Sequence, residues 1–251
     1  MIVSIAVMVV ATIAIIGLLL VPKVMPHKII YDLVPDKPCS FGYKMSWIAI
    51  KTQDVHKVLA TLDLSHVVSS NWQSGIGTVY HEDLGENRIF VSPPVKGWVF
   101  VVGLALPHPL GARFVDKWTP LIEGLAAEFQ EVQYYFTYPL IDFYAWARVL
   151  KGRISRAFAI SDEGVIVKRG RISAGEKSLA LKMFELRGVR DLEGDAGGEI
   201  VLYPTETHVM RLAGLWGLDP TQLAESGAEP GLGYIGQAPV YWRAERQQQA
   251  A

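Results

Sequence analysis

Residues 97–106 read GWVFVVGLAL, and this stretch decides the class of fold that the chain adopts. Apolar side chains stand at both odd and even positions, so an extended strand here is apolar on both of its faces. Strands of this kind lie inside sheets that are covered on both sides. We therefore expect residues 97–106 to form a central strand with a packed layer above and below it.

Further short runs on either side of this stretch have strand-like patterns and are separated by turn signals. The predicted strands cover residues 46–51, 77–82, 88–93, 131–138, 142–150, 153–160 and 164–170. The connections between the last four are short, which implies that these strands are antiparallel neighbours.

Capping residues and helical spacing of apolar residues predict several helices between these strands. They cover residues 55–62, 116–129, a segment from Ser173 to before Gly188, residues 204–216, and a start at Asp219 and Pro220. Helices and strands do not alternate strictly, so a parallel doubly wound sheet is not expected. The order predicts an α+β fold with a mainly antiparallel sheet flanked by helices. A helix followed by several strands occurs twice, which leaves open whether the chain holds two similar halves.

The chain begins with an apolar segment, residues 2–21, interrupted only by one serine, one threonine and one glycine. A helix of about 20 residues rises about 1.5 Å per residue and matches a hydrocarbon core of about 30 Å. A cleaved signal peptide is the alternative, but the segment lacks a basic start and a small-residue cleavage motif. We expect a transmembrane helix over residues 1–22, and its membrane-spanning residues include Ile2, Val10, Gly17 and Val21.

Basic residues flank only one end of this segment, which bears on its orientation. Lys23, Lys28 and Lys37 follow it, whereas only the α-amino group precedes it. Because flanking lysines and arginines tend to stay in the cytoplasm, the bulk of the chain is expected there. The predicted localisation is a single-pass protein of the bacterial inner membrane with a cytoplasmic domain, and a periplasmic domain is the alternative.

Composition divides the rest of the chain into three parts. Residues 22–42 hold four prolines, so we place a semi-stiff linker over residues 23–42. Residues 43–225 form the predicted soluble α+β domain. Glycine, proline, glutamine and alanine dominate afterwards, so residues 226–251 are expected to be a flexible tail.

Overall charge and cysteine usage restrict the possible functions. The formal net charge of the 251 residues is −1, which does not suggest a nucleic-acid partner. The single cysteine, Cys39, excludes an intrachain disulfide. Cys39 also lacks the His and Asn context of a nucleophile, so a linker or core thiol is the favoured interpretation.

Four motifs resemble functional signatures but lack the context that their chemistry requires. GLGYIG at residues 231–236 matches G-x-G-x-x-G without a preceding strand or a following helix. YHED at residues 80–83 could place His81 and Asp83 on one strand face for a metal, but a solvated hairpin end fits it better. ETH at residues 206–208 lacks zincin spacing, and DLEGDAGGE at residues 191–199 is too short for an EF-hand.

The sequence contains no G-x-S-x-G motif, no P-loop and no C-x-x-C pair. We therefore predict no catalytic, cofactor-binding or metal-binding residues and no cofactor. Enzymatic activity stays open, although a non-enzymatic role is favoured. Abundant tryptophan and tyrosine, for example in the run QYYFTY at residues 133–138, supply core packing and leave open an aromatic partner-binding patch of unidentified residues.

Several phrases together resemble a family of uncharacterised bacterial proteins that is associated with loci of secreted or polymorphic toxins. These phrases are SWIAIK (46–51), NWQSGI (71–76), RIFVSPPVKGWVFVVG (88–103), EVQYYFTY (131–138), YAWARVLKGRISRAF (144–158) and VMRLAGLWGLDPTQL (209–223). The resemblance implies a role like that of an immunity protein and carries over no catalytic residue. The N-terminal membrane helix is an addition to the soluble members.

Three functions follow as hypotheses. The first is a membrane-anchored, non-enzymatic protein-binding domain, most concretely an immunity protein that inhibits a cognate toxin by occlusion. The second is an accessory subunit of a larger membrane complex, which docks through small residues of the apolar helix. The third is an enzyme whose site is assembled from loops. The expected partners are another protein and, through residues 2–21, the lipid bilayer.

Overall fold

The computed structural model of the protein describes residues 29–179, 181 and 204–247. The chain divides into two units, Met1–Tyr31 and Asp32–Ala251, and all the elements described below belong to the second unit. The predicted membrane helix over residues 1–22 lies outside the described residues. Among the described residues, no helix is long and apolar enough to cross a bilayer.

Nine strands among the described residues form one sheet in which every pair of neighbours is antiparallel. The strands are β1 (Ser46–Lys51), β2 (Ser65–Asn71), β3 (Arg88–Val91), β4 (Trp98–Val102), β5 (Glu131–Tyr138), β6 (Phe143–Leu150), β7 (Arg153–Ser161), β8 (Gly164–Gly170) and β9 (Leu232–Gln237). Their order across the sheet is β2-β9-β3-β4-β1-β5-β6-β7-β8. β1 pairs with both β4 and β5, so it joins the two predicted groups of strands into one sheet.

Five α-helices of the described part of the chain lie on this sheet. They are α1 (Val55–Thr61), α2 (Trp72–Tyr80), α3 (Trp118–Glu128), α4 (Ala174–Ser178) and α5 (Glu206–Trp216). Short 3-10 helices cover Pro139–Ile141, Pro220–Glu225 and Val240–Trp242. The prediction of an α+β fold with a mainly antiparallel sheet is therefore confirmed.

Helices cover both faces of the sheet. On one face, α3 packs over β5, β6 and β7 and α1 packs against α3, and Trp118 meets Tyr134 edge to face. On the other face, α2 packs against β3 and α5 against β5, through pairs such as Trp72–Phe90 and Tyr135–Trp216. All five residues of β4 are buried, as the apolar pattern of residues 97–106 predicts for a central strand.

The prediction of a strand at residues 77–82 is wrong, because residues 77–80 belong to helix α2. Asn71 caps this helix with its side-chain oxygen, which accepts a hydrogen bond from the Ser74 amide at 2.9 Å. The buried residues Trp72, Gly75, Ile76 and Val79 recur at helical spacing and not at the period of two that a strand needs. The preceding strand β2 is not predicted from the sequence, because apolar and polar residues do not alternate in its exposed SHVVS segment.

The structure also differs from the expected flexible tail at residues 226–251. β9 lies inside the sheet, hydrogen-bonded to β2 on one side and β3 on the other. Glycine at position 233 lets β9 pack closely against β3, since a Cβ atom there would overlap the Val91 carbonyl oxygen and the Phe90 ring. High glycine content at this place reflects close backbone approach and not flexibility.

Part of the predicted linker, residues 23–42, is tied to the folded unit. The Asp36 carboxylate accepts hydrogen bonds from the amides of Trp72 and Gln73 at 2.6 and 2.9 Å, at the N-terminus of α2. A carboxylate is favoured at this end of a helix, where backbone N–H groups lack partners. Phe41 is buried against Trp47 and Phe100. The folded unit thus begins before residue 43.

Candidate partner-binding site

The motifs that sequence alone singled out do not converge. GLGYIG lies mostly in β9, where its backbone is engaged in strand pairing. His81, Glu82 and Asp83 are exposed after the end of α2. His208 belongs to a capping box with Thr205 at the start of α5. DLEGDAGGE and the predicted membrane-spanning residues Ile2, Val10, Gly17 and Val21 lie outside the described residues.

Cys39 and the ligand-type side chains give no reactive centre in the described part of the chain. Burial, together with the charge of Asp36, raises the pKa of the Cys39 thiol, which is opposite to the activation that a nucleophile needs. Within residues 29–179, 181 and 204–247, no group of three or more His, Cys, Asp or Glu side chains could hold a metal ion.

A buried ion pair anchors helix α4 to β7 near the end of the sheet. Arg156 Nε lies 2.8 Å from Glu176 Oε1, and the side chains are only 2% and 0% exposed. The same oxygen accepts the indole N–H of Trp146 at 2.8 Å. Oε2 accepts the Ser173 amide at 2.7 Å in a capping box. The carboxylate therefore receives hydrogen bonds at both oxygens, as a buried charge requires.

A second ionic cluster lies next to the first. Arg148 stands directly opposite Arg156 on the neighbouring strand. Arg148 Nη2 contacts Glu131 Oε1 at 2.8 Å, and Lys51 Nζ contacts Oε2 at 3.4 Å. Burial opposes ionisation of Glu131, but these two cations outweigh it and hold the pKa of the carboxyl below its ordinary value. The Arg148 guanidinium also lies over the Trp216 ring, which ties the end of α5 to the sheet.

These two clusters fix the part of the sheet that carries an exposed basic surface. We name this surface the basic corner and define it by Lys151, Arg153, Lys168, Arg169 and Arg171. All five side chains are exposed, and none of them forms an ion pair with another residue that the structure describes.

Strand pairing brings the five cations from two places in the sequence to one end of the sheet, where Lys168 and Arg169 point to opposite faces of β8. Lys151 and Gly152 form the two-residue turn between β6 and β7, and both have positive φ, as in a type I′ hairpin. Gly170, at the end of β8, pairs with Arg156 close to that turn. The β6–β7 turn and the end of β8 therefore lie at the same end of the sheet.

An open cleft of about 390 Å³ borders the basic corner, between α3 and the β6–β7 turn. Arg153 and Arg169 line it, together with Glu123 on α3 and the backbone at Gly152. Guanidinium groups in such a position can bind a carboxylate in a bidentate manner. The two guanidinium groups suit the arrangement to recognition of an acidic side chain.

A separate cavity of about 210 Å³ lies near the loop after β4 and the 3-10 helix Val240–Trp242. His108 lines it, with its ring stacked on Phe136 at a centroid distance of 4.8 Å. Burial lowers the pKa of His108, although a hydrogen bond to the Leu106 backbone acts in the opposite direction. Lys117 lines the same cavity and pairs with Glu245 at 3.1 Å.

The formal net charge of −1 gives no sign of the basic corner, because 25 acidic residues along the chain balance its 24 lysines and arginines. Residues 148–171 contain seven lysines and arginines and only two acidic residues, Asp162 and Glu163. A count of charges in successive segments would have found this asymmetry. Which of the seven point outward depends on strand register, and the two that are built into ionic clusters cannot be recognised from the sequence.

No protein-family model, curated protein or solved structure matches this chain. The resemblance to proteins of toxin loci therefore stays a prediction, and the functional assignment depends on the geometry of the basic corner.

Proposed function

We propose that the chain is a membrane-anchored protein-binding domain whose partner contacts the basic corner. The supporting observation is the cluster of five exposed cations, which lies beside the buried Arg156–Glu176 pair and the partly buried Arg148–Glu131 pair. Such a surface attracts an acidic partner and accelerates the encounter by long-range charge steering. In its most concrete form the protein is an immunity protein that inhibits a cognate bacterial toxin by covering its active site.

Co-expression with the products of neighbouring genes tests this proposal. One of these products should be toxic alone, harmless together with this chain, and recovered in complex with it from solubilised membranes. Reversal of charge at Lys168, Arg169 and Arg171 to glutamate should weaken both binding and protection. The matched control reverses Lys44 and Lys96, which are exposed elsewhere on the domain. Protection that does not depend on the chain, or no toxicity from any neighbour, contradicts the proposal.

The membrane anchor belongs to the same proposal and has its own test. Residues 2–21 are expected to hold the protein in the bacterial inner membrane, with the domain in the cytoplasm. Full-length protein should sediment with membranes and resist extraction at high salt and alkaline pH. A C-terminal fluorescent fusion should be bright and a matching alkaline phosphatase fusion inactive. The opposite pair of results would place the domain in the periplasm.

A second candidate function, an enzyme with a site assembled from loops, is favoured by one observation. The cavity beside His108 is built largely from loops and combines an imidazole with a lowered pKa, apolar walls and the Lys117 ammonium group. A neutral imidazole can act as a general base. Turnover of a substrate by the purified full-length chain that is abolished in His108→Gln, with folding intact, would establish this function.

A further inference from the structure

β8 is the last strand of the sheet, and its outer side pairs with no strand that the structure describes. An edge strand of this kind presents a row of backbone N–H and C=O groups that another polypeptide can pair with. Its sequence, GVIVKRG, changes along its length from half-buried apolar residues to exposed cations. This edge therefore offers both a backbone template and a charge pattern.

We infer that an extended acidic segment of the partner adds to β8 as a tenth strand. The inference rests on the proposed protein-binding function and names the binding mode. Acidic residues of the added strand would lie beside Lys168, Arg169 and Arg171. One carboxylate would enter the cleft between Arg153 and Arg169. Apolar or β-branched residues would continue along Val165 and Val167.

The charges on the edge also select against other occupants. A second copy of β8 would bring like charges together, so edge-to-edge pairing of two chains is disfavoured. Anionic lipid head groups and nucleic acid could use the cationic side chains, but they cannot form an antiparallel backbone ladder with β8. A strand edge without a partner among the described residues, combined with clustered cations, therefore fits an acidic polypeptide.

The direction of the added strand follows from the sheet. Every neighbouring pair in it is antiparallel, and antiparallel pairing would set the N-terminal end of the added segment beside the basic end of β8. A segment that binds well should therefore carry its acidic residues first and its β-branched residues afterwards.

Titration of the full-length chain in detergent with the capped peptide EETETVTV tests the inference. Binding should be detectable by fluorescence anisotropy and should protect backbone amides of residues 164–170 from hydrogen exchange. The reversed peptide VTVTETEE should bind several-fold more weakly. A version of EETETVTV that is N-methylated at alternate residues keeps every charge and should bind at least about tenfold more weakly, because it cannot form the ladder.

Reversing the charge of β8 residues, and separately of lysines elsewhere on the domain, provides a test variant and a control variant. The triple variant Lys168→Glu, Arg169→Glu, Arg171→Glu should lose at least about tenfold in affinity for EETETVTV and gain affinity for KKTKTVTV. The control variant Lys44→Glu, Lys96→Glu should bind both peptides as the native chain does. Unchanged unfolding temperatures would show that both variants are folded.

Three outcomes would overturn the inference. They are no binding of EETETVTV at millimolar concentration, equal binding of the N-methylated peptide, and stronger binding of glycerophosphoglycerol, the phosphatidylglycerol head group, or of single-stranded RNA through the same cations. If a toxic neighbour binds the triple variant as well as the native chain, the protein-binding function stands and this binding mode fails. If the peptide binds but no product of a neighbouring gene does, the binding mode stands and the proposed function fails.

Discussion

At the scale of single residues, the domain depends on charges that are removed from water. Arg156 and Glu176 would each be costly to bury alone, and their 2.8 Å contact is favourable only because further hydrogen bonds satisfy the carboxylate. The pair lies beneath the basic corner and holds α4 on the sheet. Its contribution is therefore to position the exposed cations, while it remains inaccessible to a partner.

Replacement of Glu176 by alanine leaves the Arg156 guanidinium buried without its counter-ion. We expect the free energy of unfolding to fall by about 3–5 kcal/mol, the usual cost of breaking a buried pair. Urea denaturation followed by tryptophan fluorescence measures the change. Glu163→Ala is the control, because its pair with Arg113 is exposed and should contribute about 1 kcal/mol or less. Equal effects of the two substitutions would contradict the structural role of the buried pair.

His108 should make stability dependent on pH in the weakly acidic range. Burial lowers the pKa of His108 in the folded state, so the unfolded chain binds the proton more readily. Stability is then complete above the ordinary histidine pKa of about 6.5 and falls as the pH is lowered from there towards the folded-state pKa. His108→Gln should flatten this part of the profile of unfolding free energy against pH.

Two other titratable groups, His208 and Glu131, also affect the dependence of the unfolding free energy on pH, and their contributions can be distinguished. Burial and Arg211 also lower the pKa of His208, so a smaller slope of the same sign should persist in His108→Gln. Glu131 acts at lower pH, because its depressed pKa gives stability that is present above the ordinary glutamate value of about 4.3 and is lost as the pH falls through the folded-state value. An unchanged slope near pH 6 in His108→Gln would contradict the assignment.

At the scale of elements, glycine stabilises the fold at one position and destabilises it at another. Gly233 in β9 faces the Val91 carbonyl oxygen and the Phe90 ring, where no side chain fits. Beyond its chain neighbours and the backbone of its own helix, Gly124 in α3 has no described heavy atom within 4 Å of the position that a Cβ would occupy. The first is required by packing, whereas the second only lowers helix propensity.

The matched pair Gly233→Ala and Gly124→Ala tests this contrast. The first substitution should destabilise the domain by about 1–3 kcal/mol through overpacking. The second should stabilise it by about 0.5–1 kcal/mol, since alanine favours the helix and restricts the unfolded chain. Thermal unfolding followed by circular dichroism measures both. Destabilisation by Gly124→Ala would show that α3 packs more tightly than described.

Local sequence patterns predicted those elements whose apolar residues face a single layer or fill a central strand. The apolar run of β4 and the capping box at Ser173 are signals of this type, and both elements formed. The patterns failed where the environment is set by distant residues. β9 has glycines because Phe90 lies against it, and α2 is a helix because Asn71 caps its first turn, although residues 77–82 resemble a strand in isolation. For the basic corner, the sequence shows the charges, but pairing determines which of them meet.

At the scale of the whole molecule, the sheet depends on β9, a strand that comes late in the sequence. β9 fills the position between β2 and β3, and its Ile235 is completely buried. Without it, β2 would have no partner strand, and β3 would keep only β4. The C-terminal segment is therefore part of the cooperative fold.

Truncation after residue 226 should remove this strand and abolish cooperative unfolding of the domain. We expect the truncated protein to bind a hydrophobic dye and to be degraded rapidly by protease. A chain that ends at Gln247 retains every element described here and should unfold with the native midpoint. Limited proteolysis and thermal scans of both proteins provide the comparison. A cooperative transition in the shorter protein would show that the sheet is complete without β9.

The place of β9 also has a consequence for biosynthesis. A ribosome releases β2 and β3 long before it has translated residues 232–237, so the nascent chain lacks the strand between them until β9 has been made. Strands on both sides of that gap are open to wrong partners until residues 232–237 have emerged. Cellular yield should therefore depend on chaperones that shield emerging polypeptides, and on how quickly the codons between β3 and β9 are decoded.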